Sequence, residues 1–180
     1  MKLLLIIFCL GFLIPLQAQN RFKIAKGSIS FSSDAPLELI EASSTALRGV
    51  IDPDGNKFAF ANKINSFKGF NSTLQQQHFN ENYMESDTYP EATFTGKIIE
   101  EIDFSQDGTH NVRAKGKLTV HGIAQTRLFR AKLQIKNGVI SIETTLTVPL
   151  VDHDISIPTI VSQKIATEID VTVVATLTKD

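Results

Sequence analysis

A mostly β protein is what this sequence predicts, and three observations carry the prediction. Beyond residue 18, Ile, Val and Thr number 43 against 11 Leu and Met, and residues that are stiff at χ1 suit a pleated surface. Apolar and polar residues alternate with a period of two over several stretches of strand length. Asn-Gly and Asp-Gly pairs separate those stretches, and both residues tolerate the positive φ that a tight hairpin turn requires.

The elements follow in chain order. Residues 1–18, MKLLLIIFCLGFLIPLQA, have one charge at Lys2, an apolar core from Leu3 to Ile14, a helix-breaking Pro15, and Leu16 and Ala18 before a cleavage point at Gln19. That pattern predicts a cleavable signal peptide and a periplasmic or secreted protein. The apolar run is too short and interrupted for a stable transmembrane anchor, which needs about 20 apolar residues. Residues 19–180 then form one domain, with no repeat, linker or low-complexity tract to suggest a second. The sole cysteine, Cys9, falls in the signal segment. Phe8 precedes it where a lipid-attachment signal carries a small residue, so the secreted chain is expected to have neither disulfide, thiolate nor lipid anchor.

Asp54-Gly55 lies between the runs Leu47 to Ile51 and Phe58 to Ile64, and predicts a hairpin. Asn71 to Met84 breaks the β pattern. Asn71 reads as an N-cap, Leu74 and Gln75 to Gln77 are good helix formers, and Leu74, Phe79, Tyr83 and Met84 supply apolar positions, so a short helix is expected. It should stop before Tyr89-Pro90, because residues preceding proline avoid the α region. Asp107-Gly108 predicts a second hairpin, ahead of a strand in which Val112, Ala114, Gly116, Leu118 and Val120 alternate with polar residues. Phe129, Ala131, Leu133 and Ile135 form the next apolar face. Asn137-Gly138 predicts a third hairpin turn, leading to Ile140, Ile142, Thr144, Leu146 and Val148. The last alternation, from Ile165 through Ile169, Val171, Val173 and Ala175 to Leu177, predicts a long antiparallel strand. About eight strands result, in a sandwich or a barrel.

Chemistry is sparse. Beyond residue 18 there are 17 Lys and Arg against 19 Asp and Glu, with no basic run longer than two, which disfavours nucleic acid and anionic membranes as partners. G-x-S-x-G, H-E-x-x-H, P-loop and G-x-G-x-x-G motifs are absent from the sequence. Asp152-His153-Asp154 has metal-ligand chemistry, but in an extended segment the carboxylates point away from the imidazole, and a solvated loop is the preferred reading. Asp52-Pro53-Asp54-Gly55-Asn56 has its glycine at the wrong place for a calcium loop. Asn71-Ser72-Thr73 matches a glycosylation sequon, and the cap explains it better. No metal, cofactor or catalytic residue is expected. The informative feature is the size of the inward residues: Ala114, Gly116, Ala131 and Ala175 leave room where a filled core would carry Leu or Ile. Against this, ten phenylalanines beyond residue 18 could fill the space.

Several short motifs occur together and in order: Ser30-Phe31-Ser32, Gln77-His78-Phe79, Tyr89-Pro90, Thr93-Phe94 and Leu118-Thr119-Val120-His121-Gly122. In combination, from about Phe22 to Leu177, the chain resembles the YceI-like family of secreted lipocalin-like proteins. The resemblance implies an extended eight-stranded antiparallel lipocalin-like barrel with one or two short helices and a long apolar pore. It also implies binding of polyisoprenoids or related long-chain amphiphiles such as quinone-like lipids, without catalysis. Carried over by strand register, the expected ligand-binding residues are Phe94, Ile98, Val112, Ala114, Gly116, Leu118, Val120, Phe129, Ala131, Leu133, Ile169, Val171 and Val173. Two segments depart from the more familiar members, Ala35 to Val50 and Val148 to Val161, and both are expected near the barrel mouth. A filled-core structural or interaction barrel is the alternative, an enzyme around His78, His121 or His153 is a third reading, and a homodimer stays open as an assembly state.

Overall fold

Nine antiparallel strands carry the chain around a closed barrel in the computed structural model, which describes residues 21–180. They are β1 (Phe22–Ala35), β2 (Glu38–Ser44), β3 (Arg48–Asp52), β4 (Lys57–Lys63), β5 (Glu91–Ile98), β6 (Gly108–Val120), β7 (Ile123–Lys136), β8 (Val139–Pro149) and β9 (Glu168–Lys179). Each strand from β3 to β9 pairs with the next, and β9 returns to β1 along ten paired positions from Phe22 opposite Lys179 to Ser32 opposite Asp170. Closure leaves no long unpaired sheet edge at this seam. The signal-peptide expectation lies outside the described residues.

Nine strands make an eight-stave barrel because β2 and β3 are two halves of one stave. Ile29 faces Ser44 and Lys23 faces Val50, and both pairings keep a single register against β1. The break at residues 45–47 swings Leu47 into the core, where it packs over Gly27.

The alternation foreseen for β6 to β9 is the alternation found, and Asn137 and Gly138 both take positive φ at the β7–β8 turn. The β3–β4 turn likewise uses Gly55 and Asn56 at positive φ, with Asp52 accepting from the Asp54 N–H. Asp107-Gly108 behaves differently from the expectation. Gly108 opens β6, and β5 connects to it through residues 99–107, whose Phe104 is buried against Phe22 at 5.9 Å between ring centres. Asp107 instead accepts a hydrogen bond from the Asn137 N–H. The last strand starts at Glu168, three residues after the alternation begins.

The non-β expectation is met by one short helix, α1 (Thr73–His78), prolonged by a π turn over Phe79–Tyr83. Its N-cap is Ser72, whose Oγ accepts from the Gln75 N–H at 3.1 Å. Asn71 is used elsewhere: its amide donates to the Leu39 carbonyl and to Glu38, which ties the helix to the edge of β2. That edge needs covering, because β4 ends at Lys63 and leaves only the Ser43–Lys68 bridge beside β2.

One end of the barrel is packed solid. Phe22, Ile51, Phe58, Ile98, Phe104, Val112, Leu133, Ile135, Ile140 and Leu177 form a continuous core there. A smaller cluster of Ile64, Met84 and Ile155 sits toward the opposite end.

Candidate ligand-binding cavity

Between those two clusters the inward faces of the strands do not meet. Period-two alternation sends the same register of β1 and β4 to β9 toward the axis, and small or slim residues at Ala114, Ala131 and Ala175 keep the walls apart. The result is a cavity of about 560 Å³. Phe94, Ile98, Val112, Ala114, Leu118, Val120, Phe129, Ala131, Leu133, Ile169, Val171 and Val173 all line it. The phenylalanines that could have filled the interior form its wall.

Gly116 is not among the lining residues, and its small size serves a different end. It lies opposite Gly96 on β5, and a Cβ on Gly116 would stand 2.3 Å from the Thr95 carbonyl oxygen, while one on Gly96 would stand 2.1 Å from that of Lys115. The glycine pair lets two backbones approach more closely than any side chain permits. Gly116 was expected to make room for a ligand; it makes room for the neighbouring strand.

A YceI-like domain model matches residues 12–177. The chain belongs to the YceI-like domain family. Solved structures agree on the fold. A polyisoprenoid-binding domain from Saccharophagus degradans, implicated in plant cell wall breakdown, superimposes with a TM-score of 0.73 at 17% identity over 88% of this chain and 98% of its own. BcnA of Burkholderia cenocepacia gives 0.68 at 16% identity, covering 83% of this chain and 95% of BcnA. The YceI protein of Campylobacter jejuni gives 0.57 at 18% identity, covering 74% and 81%. No curated protein matches the chain.

In this YceI-like barrel the wall beside β2 is aromatic, and most of it was not foreseen. Phe31 stacks on Phe79 at 5.3 Å and meets Phe67 edge-on at 5.2 Å, and Phe70 adds a third contact to Phe79 at 5.0 Å. Phe31 shares its register with Ile29 and Ser33 and was legible in β1. Phe67 and Phe70 sit in an aperiodic loop, so only the tertiary structure brings them to the wall.

The mouth is marked by lining residues that are also exposed: Ser72, Leu74 and His78 from α1 and its cap, and Lys164 from the β8–β9 connection. Glu38 joins them, and its Oε1 accepts from the Gln75 amide at 2.9 Å and the Asn71 amide at 3.3 Å. Deeper polar groups are partnered. Ser33 Oγ accepts from the Ala166 N–H, and Asn62 accepts from Ser44 and donates to the Lys63 carbonyl. Burial pushes the Tyr83 phenol above its ordinary range.

On the opposite wall β7 and β8 pair only from Lys132–Glu143 to Lys136–Val139 and then splay apart. The turn Leu150–His153 bridges the gap toward the mouth. His153, expected in a solvated loop, is completely buried. Its Nδ1 lies 3.1 Å from the Ile123 carbonyl, and His121 Nδ1 lies 3.1 Å from the His153 carbonyl. Carbonyls only accept, so in each of these bonds the ring Nδ1–H is the donor. The Gln125 amide donates to the Asp152 carbonyl, and Arg127 pairs with the Asp152 carboxylate. His121 also packs edge-on against Tyr89 at 4.7 Å, over Gly122 at a φ of 74° where a Cβ would strike that ring. Leu150 and Ile155, held by this turn, are cavity wall. Where the strands splay, a shallow outer groove shares Val112, Ala131 and Thr144 with the cavity.

His78 and His110 lie apart from this pair, on α1 and near the start of β6. Among the described residues no three His, Cys, Asp or Glu side chains are placed to hold a metal ion, and no helix is long and apolar enough to cross a membrane.

Proposed function

We propose that this protein is a periplasmic or secreted carrier that holds one long apolar or amphiphilic lipid, a polyisoprenoid or quinone-like molecule, along the barrel axis without transforming it. The observation that carries this reading is the shape and lining of the cavity. Its volume of about 560 Å³ falls within the roughly 300–1,000 Å³ common for ligand pockets. Lining residues run from Val112 to Val120 on β6, roughly 26 Å of strand at about 3.3 Å per residue and about 20 Å along the axis once strands tilt. An elongated apolar ligand fits such a space better than a compact polar one. Burying on the order of 400 Å² of its apolar surface contributes roughly 10 kcal/mol before association costs. The Saccharophagus degradans domain that shares the fold is described as polyisoprenoid-binding, which supports the same chemistry here. A polar head would sit among Ser72, Gln75, His78 and Lys164.

The test is organic extraction and native mass spectrometry of protein purified from its own host. A co-purifying long-chain lipid is expected, in stoichiometric amount. Protein that is consistently empty, and that takes up neither a polyprenyl nor a quinone lipid presented in detergent, overturns the proposal.

A further inference from the structure

Outside the strands, the exposed large apolar side chains are distributed unevenly over the two ends of the barrel. The packed end has one, Ile99, in the β5–β6 connection. The mouth end has four, on four separate segments: Leu37 in the β1–β2 turn, Leu74 on α1, Val151 in the turn after β8, and Ile160 before β9. Val151 and Ile160 are 81% and 91% exposed, well beyond Leu39, Leu128 and Val174 on the strands, which are about half exposed. Each of the four either lines the cavity, as Leu74 does, or adjoins a residue that does, namely Glu38, Leu150 and Val161. The Leu37 N–H also donates to the Gln163 carbonyl, which joins the β1–β2 turn to the segment carrying Ile160 at the rim.

We propose that this rim docks the mouth of the barrel onto the surface of a zwitterionic lipid bilayer, so that the cavity opens directly into the apolar phase. The inference rests on the lipid-carrier reading for its purpose. A long isoprenoid is sparingly soluble in water, so a carrier that loads it needs a mouth that meets the lipid where it dissolves. Four side chains projecting from separate segments suit a fluid interface, which adapts to scattered protrusions; a protein partner needs a contiguous complementary patch of roughly 800 Å². Charge selects the kind of bilayer. The connecting segments at the mouth end carry Glu81, Glu85, Asp87, Asp152 and Asp154 against Lys68 and Lys164, and only Asp152 among those acids is paired with an arginine. An anionic surface would repel this end.

The chain has no tryptophan, so Val151→Trp and Ile160→Trp each place a single fluorophore on the rim and Ile99→Trp places one at the packed end. Cargo-free protein is mixed with phosphatidylcholine vesicles. Both rim reporters are expected to shift to the blue and to be quenched by brominated acyl chains, while the Ile99→Trp reporter stays unchanged. Unshifted rim reporters, or an equal shift at Ile99→Trp, overturn the proposal. So does stronger binding to phosphatidylglycerol vesicles, which would make charge rather than the rim the driving force. The double variant Val151→Ser/Ile160→Ser is expected to weaken vesicle partitioning by about a hundredfold, about tenfold for each anchor, and to keep its uptake of lipid from detergent. Loss of detergent uptake in the parent protein would count against the cavity reading alone, since the reporters need no cargo.

Discussion

Ala114 and Gly116 stand two residues apart on the same face of β6, and a reading of side-chain size treats them alike. The structure separates them: Ala114 faces the cavity, whereas the missing side chain of Gly116 accommodates the backbone of β5. Ala114→Phe should therefore insert its ring into empty space, cost less than about 1 kcal/mol of stability, and reduce the lipid recovered with the protein. Gly116→Ala should cost about 1–3 kcal/mol by forcing β5 and β6 apart, with the cavity lining untouched. Denaturant unfolding and lipid quantification on the two variants separate these outcomes. Were the interior a filled core, Ala114→Phe would be the damaging change. His153 is the other position where residue type misleads, since a histidine flanked by two aspartates suggests a wet loop. Its ring is buried and its Nδ1 donates to the Ile123 carbonyl. His153→Ala removes that donor and opens a void, and is expected to cost about 1–3 kcal/mol, with faster amide exchange at Ile155, whose N–H bonds the Leu150 carbonyl.

Individual elements are held in place by polar contacts at the points where the strand ladder fails. Along the β2 edge, α1 is fastened through Glu38, Asn71 and Gln75; at the β7–β8 splay, the Leu150–His153 turn is fastened through Asp152 and His153. The β5–β6 connection at the packed end has its own clamp. The Arg113 N–H donates to Glu100 at 2.6 Å and the Arg113 guanidinium at 2.7 Å, and these bonds hold the Glu100 carboxyl below its ordinary value of 4.5. A depressed folded-state pKa means that the unfolded chain binds more protons near that pH. The contribution is thus complete above about pH 4.5 and is lost as the pH falls through the lower folded value. Glu100 is solvent-exposed and its pair is screened, so the effect is small. Urea unfolding is expected to show Glu100→Gln slightly less stable than the parent at pH 7, with the difference shrinking as the pH falls below about 4.5.

At the scale of the whole molecule the barrel is polarised along its axis. One end is sealed by Phe22, Phe104, Leu133, Ile140 and Leu177, and the other is bounded by α1, the β8–β9 connection and the β6–β7 turn. A cavity closed below and bordered by exposed apolar side chains above would give the proposed lipid a single direction of entry, which a symmetric pore would lack. The proposed export is tested at this scale as well. N-terminal sequencing of protein recovered from the envelope fraction of its host is expected to begin at Gln19; a chain that retains Met1 in the cytoplasm contradicts the periplasmic assignment. Size-exclusion chromatography of the cargo-loaded protein tests the homodimer left open by the sequence.

The sequence by itself determined the class of fold and most of the strands, and twelve of the thirteen residues expected by strand register to bind ligand lie on the cavity wall. It could do so because side-chain direction in a strand has a fixed period of two, so an apolar register in the chain becomes an inner face in the barrel. The family motifs then closed the choice between sandwich and barrel. Only the tertiary structure decided what depends on contacts between distant segments. It united β2 and β3 into one stave, carried Phe67 and Phe70 to the wall, and gave Asp107 a partner thirty residues away. It also buried His153 and turned Gly116 from a space-maker into a point of backbone approach. None of these has a local period, because each is set by which surface the segment meets once the barrel has closed.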